Sequence, residues 1–456
     1  MPSNAALIGE YLRPGRRVHL IGIGGVSMRP LGLVLHDMGV EISGSDMSNS
    51  SATDGLLAQG IPVAIGHRAE NIEGAEAIIR TAAVHNDNPE IAAARALGIP
   101  IFERAQAWGY IMKSYREAIC VAGTHGKTTT TSMVTHIFME AQKDPTVMIG
   151  GRLPLLDAGH RVGRGGTIIM ESCEYYNSFL NFFPTIAVIL NVEADHLDFF
   201  KDLADVQKSF RAFAQLVPET GCVIASGDDA STQETLAGID RITFGLGENC
   251  TVRAVNCSDD WHAFDVLCNG APYGHFDLGV VGRHNTLNAL AAIAVAWRCG
   301  IDSETAARGL ASFHGAGRRM EKKGVYNGAD VYDDYAHHPG ELHALLSAVQ
   351  TMGYKRILCA FQPHTYTRTH ALFDDFVREL RRVDVAVVAE IYAAREQNTI
   401  GISSVDLVAQ IPGAIYCETL PEVTAQLRQL AQPGDLILTV GAGDIFKAGE
   451  ALLKTK

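Results

Sequence analysis

Residues 123–130 read G-T-H-G-K-T-T-T, with the apolar run Ala118-Ile119-Cys120-Val121-Ala122 before them and a helical pattern from Ser132 to Gln142 after them. A glycine loop between a strand and a helix turns backbone N–H groups and the helix N-terminus toward one point, which makes a seat for phosphate. In that setting Lys127 reaches the terminal phosphates and the Thr128 hydroxyl can ligate Mg²⁺, so the segment predicts ATP binding. The usual loop has four residues between its first glycine and the Gly-Lys pair. Here Val121 stands where that glycine would be, and Gly123 leaves only two residues between, which makes this a shortened variant. The competing reading is a glycine and threonine helix cap with no ligand.

Three domains of ordinary size fit into 456 residues. With 47% hydrophobic and 20% charged residues, and 45 glycines spread along the chain, the composition is that of a globular α/β protein. A net charge of −13 argues against nucleic acid as a partner, because phosphate backbones are held by clustered lysine and arginine. The nine cysteines form no C-x-x-C pair and no secretory signal is read ahead of them, so they read as free thiols of a reducing compartment. No uncharged apolar stretch of membrane-spanning length is present. The expectation is a cytoplasmic protein with no membrane partner, monomeric or homodimeric.

Three α/β segments follow one another, with expected boundaries 1–116, 117–314 and 315–456. The first opens with Val18-His19-Leu20-Ile21 running into Gly22-Ile23-Gly24-Gly25, then a helical stretch to Met38, a Gly39 stop and a second strand ending Ser43-Gly44-Ser45-Asp46. A glycine turn after one strand and an acidic residue after the next is the arrangement that holds a diphosphate and a ribose. Ser27 takes the third glycine position of the dinucleotide motif, so NAD or FAD, a sugar nucleotide and a purely structural turn all remain in play.

In the second segment Thr167–Met170 reads as a buried strand delivering Glu171, and Ile186–Leu190 as another delivering Asn191–His196. Ligands of open parallel sheets sit beyond the carboxyl ends of the strands, which aims Glu171, Asp195 and His196 at the phosphate loop. The alternative for Asp195 and His196 is capping of the next helix. Gly315-Ala316-Gly317-Arg318-Arg319 reads as a hinge. The third segment then carries polar clusters after its strands, Asp333–Pro339 after Val331 and Gln362–Arg368 after Arg356–Phe361. Val383–Ala389 and Asp435–Val440 supply two further strands.

Eight motifs in this order resemble the ATP-dependent Mur ligases of peptidoglycan assembly, most closely the members that add L-alanine. They are Ile21–Met28, Ser43–Asp46, Gly123–Thr131, Asn191–Asp198 (N-V-E-A-D-H-L-D), Gly282–Asn288 (G-R-H-N-T-L-N), Gly317–Arg319, Asp333–Pro339 and Phe361–Thr369, and they span nearly the whole chain. The resemblance implies three domains: a Rossmann-like N-terminal domain for the UDP sugar, a central P-loop ATPase, and a C-terminal Rossmann-like domain that closes over the nucleotide and brings in the amino acid. It also implies ATP-dependent formation of an amide between the lactyl carboxylate of UDP-N-acetylmuramate and L-alanine, through an acyl phosphate.

By position, Gly22, Gly24, Gly25, Ser45, Asp46 and His67 would bind the UDP sugar. Gly123, Thr124, His125, Gly126, Lys127, Thr128 and Thr129 would cradle ATP, and Thr128, Glu171 and His196 would surround Mg²⁺. Asn285 and Asn288 would contact adenine, while Arg319 and Asp334 would reach the nucleotide from the third domain. Tyr335, His337, His364 and Arg368 would form the amino-acid pocket, with Arg368 on the carboxylate and His337 orienting or deprotonating the amine. His338, before Pro339, reads as a helix-start contact.

Two positions depart from the family pattern. Many members carry E-A-D-E-S-D where this chain has Glu171-Ser172-Cys173-Glu174-Tyr175-Tyr176, and many carry arginine where Thr365 stands. A related ligase that recycles peptides usually has a cysteine in the first glycine run, where this chain has Gly22-Ile23-Gly24-Gly25, which favours the alanine-adding reading. A non-enzymatic P-loop switch would leave the strand-end clusters of the first and third segments unexplained. An NAD oxidoreductase would leave the P-loop without a purpose.

Overall fold

The computed structural model describes residues 7–81, 84–196, 199–394 and 396–454. Leu197 and Asp198, the end of the Asn191–Asp198 motif, lie outside them. The chain divides into two compact units. One comprises the chain up to Val192 with Gln207–Cys250 and Ala291–Gly309, and the other Glu193–Val206, Thr251–Leu290 and the chain from Leu310 onward.

The first unit begins with five short parallel strands, β1 (Arg17–Ile21), β2 (Glu41–Asp46), β3 (Val63–Ile65), β4 (Ala77–Arg80) and β5 (Ile101–Glu103), in the order β3-β2-β1-β4-β5. The order reverses direction beside β1, so a crevice opens past its carboxyl end, where Gly22 turns the chain at φ +77°. The same unit continues with β6 (Glu117–Ala122), β7 (Thr146–Leu153), β8 (Ala158–Arg161), β9 (Thr167–Glu171), β10 (Ile186–Ile189), β11 (Cys222–Ser226) and β12 (Ile242–Gly245), ordered β12-β11-β10-β6-β9-β7-β8. All of these pairs are parallel except β7 with β8. From Ala118 to Ala122 β6 is wholly buried, as a strand covered on both faces must be.

In the second unit β13 (Val252–Val255), β14 (Ala263–Cys268) and β15 (Ala271–Asp277) form an antiparallel meander that was not read from the sequence. A six-stranded sheet follows, of β16 (Glu321–Tyr326), β17 (Ala329–Asp334), β18 (Ile357–Phe361), β19 (Val385–Ala389), β20 (Ile415–Cys417) and β21 (Leu436–Val440), ordered β16-β17-β21-β18-β19-β20. Alternate side chains of β18 serve different cores: Cys359 and Phe361 pack in one cluster, Leu358 and Ala360 in another. That is the period-two signature of a sheet buried on both faces.

One local reading is corrected. The helix after the phosphate loop runs Lys127–Glu140, earlier than the apolar pattern indicates. Its threonine-rich first turns return hydroxyl hydrogen bonds to the carbonyl four residues back, as Thr131 does to Lys127 at 2.7 Å, so these residues do not break the helix. The expected hinge at 315–319 is anchored through Arg318, whose guanidinium binds Asp333 at 2.9 Å and the carbonyls of Gly441 and Gly443 at 2.6 and 3.0 Å. Arginine supplies enough fixed donors to tie a glycine-rich segment to three partners at once.

Candidate active site

At the carboxyl end of β6, Gly123 (φ +151°) and Gly126 (φ +82°) take conformations that a side chain disfavours, and they bend the chain into the helix Lys127–Glu140. Asn191, just after β10, pins the loop from the side. Its carbonyl accepts from Thr124 N at 3.2 Å, its amide oxygen accepts from His125 N at 2.7 Å, and its amide nitrogen donates to His125 O at 3.2 Å. Thr129 sits half-buried in the first helical turn.

The Lys127 ammonium donates to the carbonyl of Thr124 at 3.1 Å and pairs with Glu174 at 3.0 Å. Its side chain is only 15% exposed and that of Glu174 2%, so the lysine does not simply face solvent, as its place in a loop would imply. Burial works against the ammonium, but Glu174, with Cys173 and Glu171, outweighs it and raises the Lys127 pKa. The Thr128 hydroxyl donates to Glu171 at 2.9 Å, and Gly150 N reaches the same carboxylate oxygen at 2.7 Å. A hydroxyl and a carboxylate in contact are the hard oxygen donors that Mg²⁺ takes.

In the first sheet, Gly22 N and Ile23 N donate to Ser45 O at 2.8 and 3.0 Å, and Gly25 N returns to Gly22 O at 3.0 Å. Gly24 N donates to the Asp46 carboxylate at 2.9 Å, so the glycine turn and the acidic residue meet as a diphosphate and ribose site requires. Ser45 and His67 are in contact at 3.2 Å, and both bind the buried Glu90.

The second unit gathers the predicted amino-acid residues around β17 and β18. The rings of Tyr335, His337, His364 and Tyr392 form a chain of contacts with centroids 5.4, 5.9 and 5.6 Å apart. His337 Nδ1 faces the carbonyl of Tyr335 at 3.0 Å and Glu341 at 3.2 Å, both acceptors, so that nitrogen carries the proton. Burial is the main force lowering the His337 pKa to about 3 and that of His364 to about 4, so both rings are neutral at physiological pH. Asp334 accepts from Met320 N at 2.7 Å and Ala336 N at 2.8 Å, and burial raises it to about 6 against the pull of Arg319. Arg319 lies over the Tyr335 ring at 5.1 Å, with Glu341 3.7 Å from its guanidinium. His338 accepts from Gly340 N at 3.2 Å, the helix-start contact expected of it.

Arg368 pairs with Asp195, through Nη2 at 2.9 Å and Nε at 3.3 Å, while Nη1 meets His364 at 3.3 Å. Asp375, on the next helix, pairs with Arg378 and not with Arg368. The capping role weighed for Asp195 is not seen, since the next helix begins at Leu203. Burial works against the Asp195 carboxylate, but Arg368 outweighs it and holds its pKa well below the usual range. A cavity of 270 Å³ opens here, its walls including Asp195, His196, Thr365, Arg368 and Leu372. His196, the third residue assigned to the metal, has φ +52° and hydrogen-bonds its backbone N to Asp195 at 2.7 Å. Asn285 and Asn288 are 8% exposed in the first turns of the helix Arg283–Arg298, and the Asn285 amide closes that turn onto Val281 O at 2.8 Å.

Three family models match in succession: the Mur ligase family catalytic domain over residues 17–116, the Mur ligase middle domain over 121–296, and the Mur ligase glutamate ligase domain over 318–443. The chain belongs to the Mur ligase family. Among curated relatives of this Mur ligase, the UDP-N-acetylmuramate–L-alanine ligase of Caldanaerobacter subterraneus subsp. tengcongensis is 44% identical over 96% of this chain and 97% of its own. The crystal structure of UDP-N-acetylmuramate–alanine ligase from Thermotoga maritima matches with TM-score 0.80 and 29% identity, over 96% of this chain and 98% of that one. A murein peptide ligase from Psychrobacter arcticus shares the fold, with TM-score 0.73 and 24% identity over 96% and 98% of the two chains. The three-domain α/β fold expected from the sequence is the fold of this family.

Sequence reasoning on this Mur ligase missed the work of Glu174, Asn191, Glu341 and Glu90. For Glu174 a signal existed, since it is one of two acidic residues that keep the family pattern after β9. For Glu90 the sequence offered none beyond Asn88-Pro89-Glu90 as a helix start.

Proposed function

We propose that this protein is the ATP-dependent ligase that joins L-alanine to UDP-N-acetylmuramate, acting in the cytoplasm with Mg²⁺. The observation that carries the reading is the phosphate loop, with Lys127 on one side and the Thr128–Glu171 oxygen pair on the other, in a chain whose near full-length relatives bear that name. Residues 1–116 would hold the UDP sugar, 117–314 the ATP and 315–456 the amino acid. No described helix is long and apolar enough to cross a membrane.

The lactyl carboxylate oxygen of the sugar attacks the γ-phosphorus of ATP; the bond to the β–γ bridging oxygen breaks, and ADP leaves. Loop N–H groups and the Lys127 ammonium stabilise charge on the transferring phosphoryl oxygens. Before ATP arrives that ammonium is held by Glu174, so a lysine already positioned and charged is handed to the phosphates. Thr128, Glu171 and His196 would hold Mg²⁺, which supplies further neutralisation of phosphate charge. The alanine amine then attacks the acyl phosphate carbonyl, the C–O bond to phosphate breaks, and an amide forms. Arg368 would orient the alanine carboxylate in a fork geometry. Of the two roles weighed for His337, orientation is the better supported, because a group with a pKa near 3 is a weak acceptor for an ammonium proton.

Incubation with ATP, Mg²⁺, UDP-N-acetylmuramate and single amino acids, with product mass as readout, tests the reading. A mass increase for one alanine residue, with ADP and phosphate released only when both acceptor substrates are present, is the expected result. Product with a tripeptide but not with alanine would instead assign the recycling reaction. Phosphate release without the sugar nucleotide would assign the switch.

A further inference from the structure

Asp195 and Arg368 form an ion pair in which each partner commits only part of its bonding capacity. A guanidinium has two edges on which a carboxylate can sit with two hydrogen bonds, one made by Nε and Nη2 and the other by Nη1 and Nη2. Asp195 takes the first edge, its Oδ1 accepting from Nη2 at 2.9 Å and from Nε at 3.3 Å. On the second edge the only contact among the described residues is that of Nη1 with His364 Nδ1 at 3.3 Å. Asp195 Oδ1 also accepts from His196 N at 2.7 Å, so three donors converge on one oxygen. The other oxygen, Oδ2, makes no hydrogen bond among the described residues, and His196 Nε2 stands 3.9 Å from it, beyond hydrogen-bonding reach.

A carboxylate oxygen that lacks a donor is costly when buried, and Asp195 is only 8% exposed. Both side chains line the 270 Å³ cavity, whose other walls include the apolar Ala194, Ala371, Leu372 and Ile400. The wall of one small cavity thus carries an open two-donor cationic edge and an open anionic acceptor. A molecule with a carboxylate and an ammonium on the same carbon satisfies both; a plain carboxylate or a plain amine satisfies one.

We propose that Asp195 is a substrate-binding residue whose Oδ2 takes the α-ammonium of the incoming amino acid while the Nη1–Nη2 edge of Arg368 takes its carboxylate, so that the pocket selects its substrate by both charges. The inference rests on the amino-acid reading of this domain and adds the partner of the amine. The guanidinium, bound on both edges at once, keeps the Asp195 and substrate carboxylates from meeting as like charges. Asp195→Asn is a narrow perturbation of this arrangement. The three donors on Oδ1 require an acceptor there, so the amide oxygen keeps that place and the amide NH₂ falls at the Oδ2 position, where it meets an ammonium with another donor.

Steady-state kinetics of the full-length enzyme with ATP, Mg²⁺ and UDP-N-acetylmuramate test this, with L-alanine as the varied substrate and L-lactate as its competitor. Lactate keeps the carboxylate and replaces the ammonium by a hydroxyl. In the wild type the inhibition constant of L-lactate should exceed KM for L-alanine by about ten-fold or more, the scale of one charge-assisted hydrogen bond. Asp195→Asn should raise KM for L-alanine by about ten-fold or more while the lactate constant stays within about three-fold, because only the ammonium loses its partner. If Asp195 merely holds Arg368 in place, alanine and lactate weaken together in the variant, and that result overturns the proposal. An unchanged KM for L-alanine in the variant overturns it too. So does a wild type that binds lactate as tightly as alanine, a result independent of whether the variant folds. Each of these leaves the amino-acid reading intact, whereas a wild type that forms no product with L-alanine overturns that reading and the proposal with it.

Discussion

Replacement of Gly24 by alanine tests the first domain at the point where its geometry is tightest. A Cβ on Gly24 would stand 2.9 Å from Asp46 Oδ2, closer than Cβ atoms are found to approach, and 3.0 Å from Thr53 Cγ2, tighter than most such contacts. Thr53 is fully buried and its hydroxyl is bound to Asn49 at 2.8 Å, so it has little room to yield. The carboxylate is the mobile party, and moving it breaks its 2.9 Å bond from Gly24 N. A hydrogen bond to a charged group contributes about 1.5–3 kcal/mol, with the lower half of that range appropriate to a half-buried carboxylate. Asp46 is also the residue assigned to the ribose, so its displacement should appear as a loss of sugar-nucleotide affinity of roughly 10- to 30-fold, at 1.4 kcal/mol per factor of ten.

The assay is steady-state kinetics with each substrate varied in turn, supported by the inhibition constant of UDP. KM for UDP-N-acetylmuramate and the UDP inhibition constant should rise together, while KM for ATP and for L-alanine stay within about two-fold, because the interaction lost is confined to sugar-nucleotide binding. Asp46→Ala should give a similar loss, and the double variant little more than either single one, since both substitutions remove the same contact. A Gly24→Ala enzyme with unchanged sugar-nucleotide kinetics would refute the reasoning, as would an equal rise in all three KM values.

Lys127→Ala should lower turnover by at least about a hundred-fold, and it should also destabilise the protein by leaving Glu174, 2% exposed, without the ammonium that pairs with it. Adding Glu174→Gln should restore the thermal midpoint but not activity; recovery of turnover in that double variant would show that the loop lysine is not catalytic. Arg368→Lys should raise KM for L-alanine roughly ten-fold, because a single ammonium cannot serve Asp195 and a substrate carboxylate in the fork geometry that guanidinium allows; equal shifts for all three substrates would make the pair with Asp195 purely structural. For pH, burial lowers His284 and His364 to about 4 and His337 to about 3, so between about pH 4 and 6.5 the unfolded chain binds more protons at these rings and stability falls as the solution is acidified. Asp334, raised to about 6, opposes this together with Asp333 and His275, which are also raised, but the three strongly lowered rings, joined by His160, outweigh them, so the urea midpoint should drop between pH 7 and pH 5, and a midpoint that held or rose would contradict the burial of these histidines.

The parts of this molecule that were legible in its sequence are those where one short segment carries the whole physical cause. Gly123–Thr128 announces its loop because strand, glycine turn, lysine and helix are contiguous, and the glycine turn after β1 announces its crevice for the same reason. The meander β13–β15 was missed because its strands alternate buried and partly exposed residues with no accompanying helix, a weaker pattern than the βα units on either side. The site's electrostatic partners were missed for a different reason: each comes from a remote stretch of chain. Arg368 meets Asp195 across 173 positions and Lys127 meets Glu174 across 47. Neither aspartate nor glutamate at those places differs in type from the many acidic residues that face water. What distinguishes them is burial, and burial is a property of the fold: the residues after β6 and β9, for example, arrive at one shared carboxyl end of neighbouring strands. The same logic explains Glu90, which reads as a routine first-turn acid in a helix and becomes a buried, hydrogen-bonded carboxylate only once β2 and the segment after β3 enclose it. Contiguous sequence motifs thus reveal where backbone N–H groups turn toward one point, while the carboxylates that hold buried cations in place become identifiable only from the three-dimensional pairing.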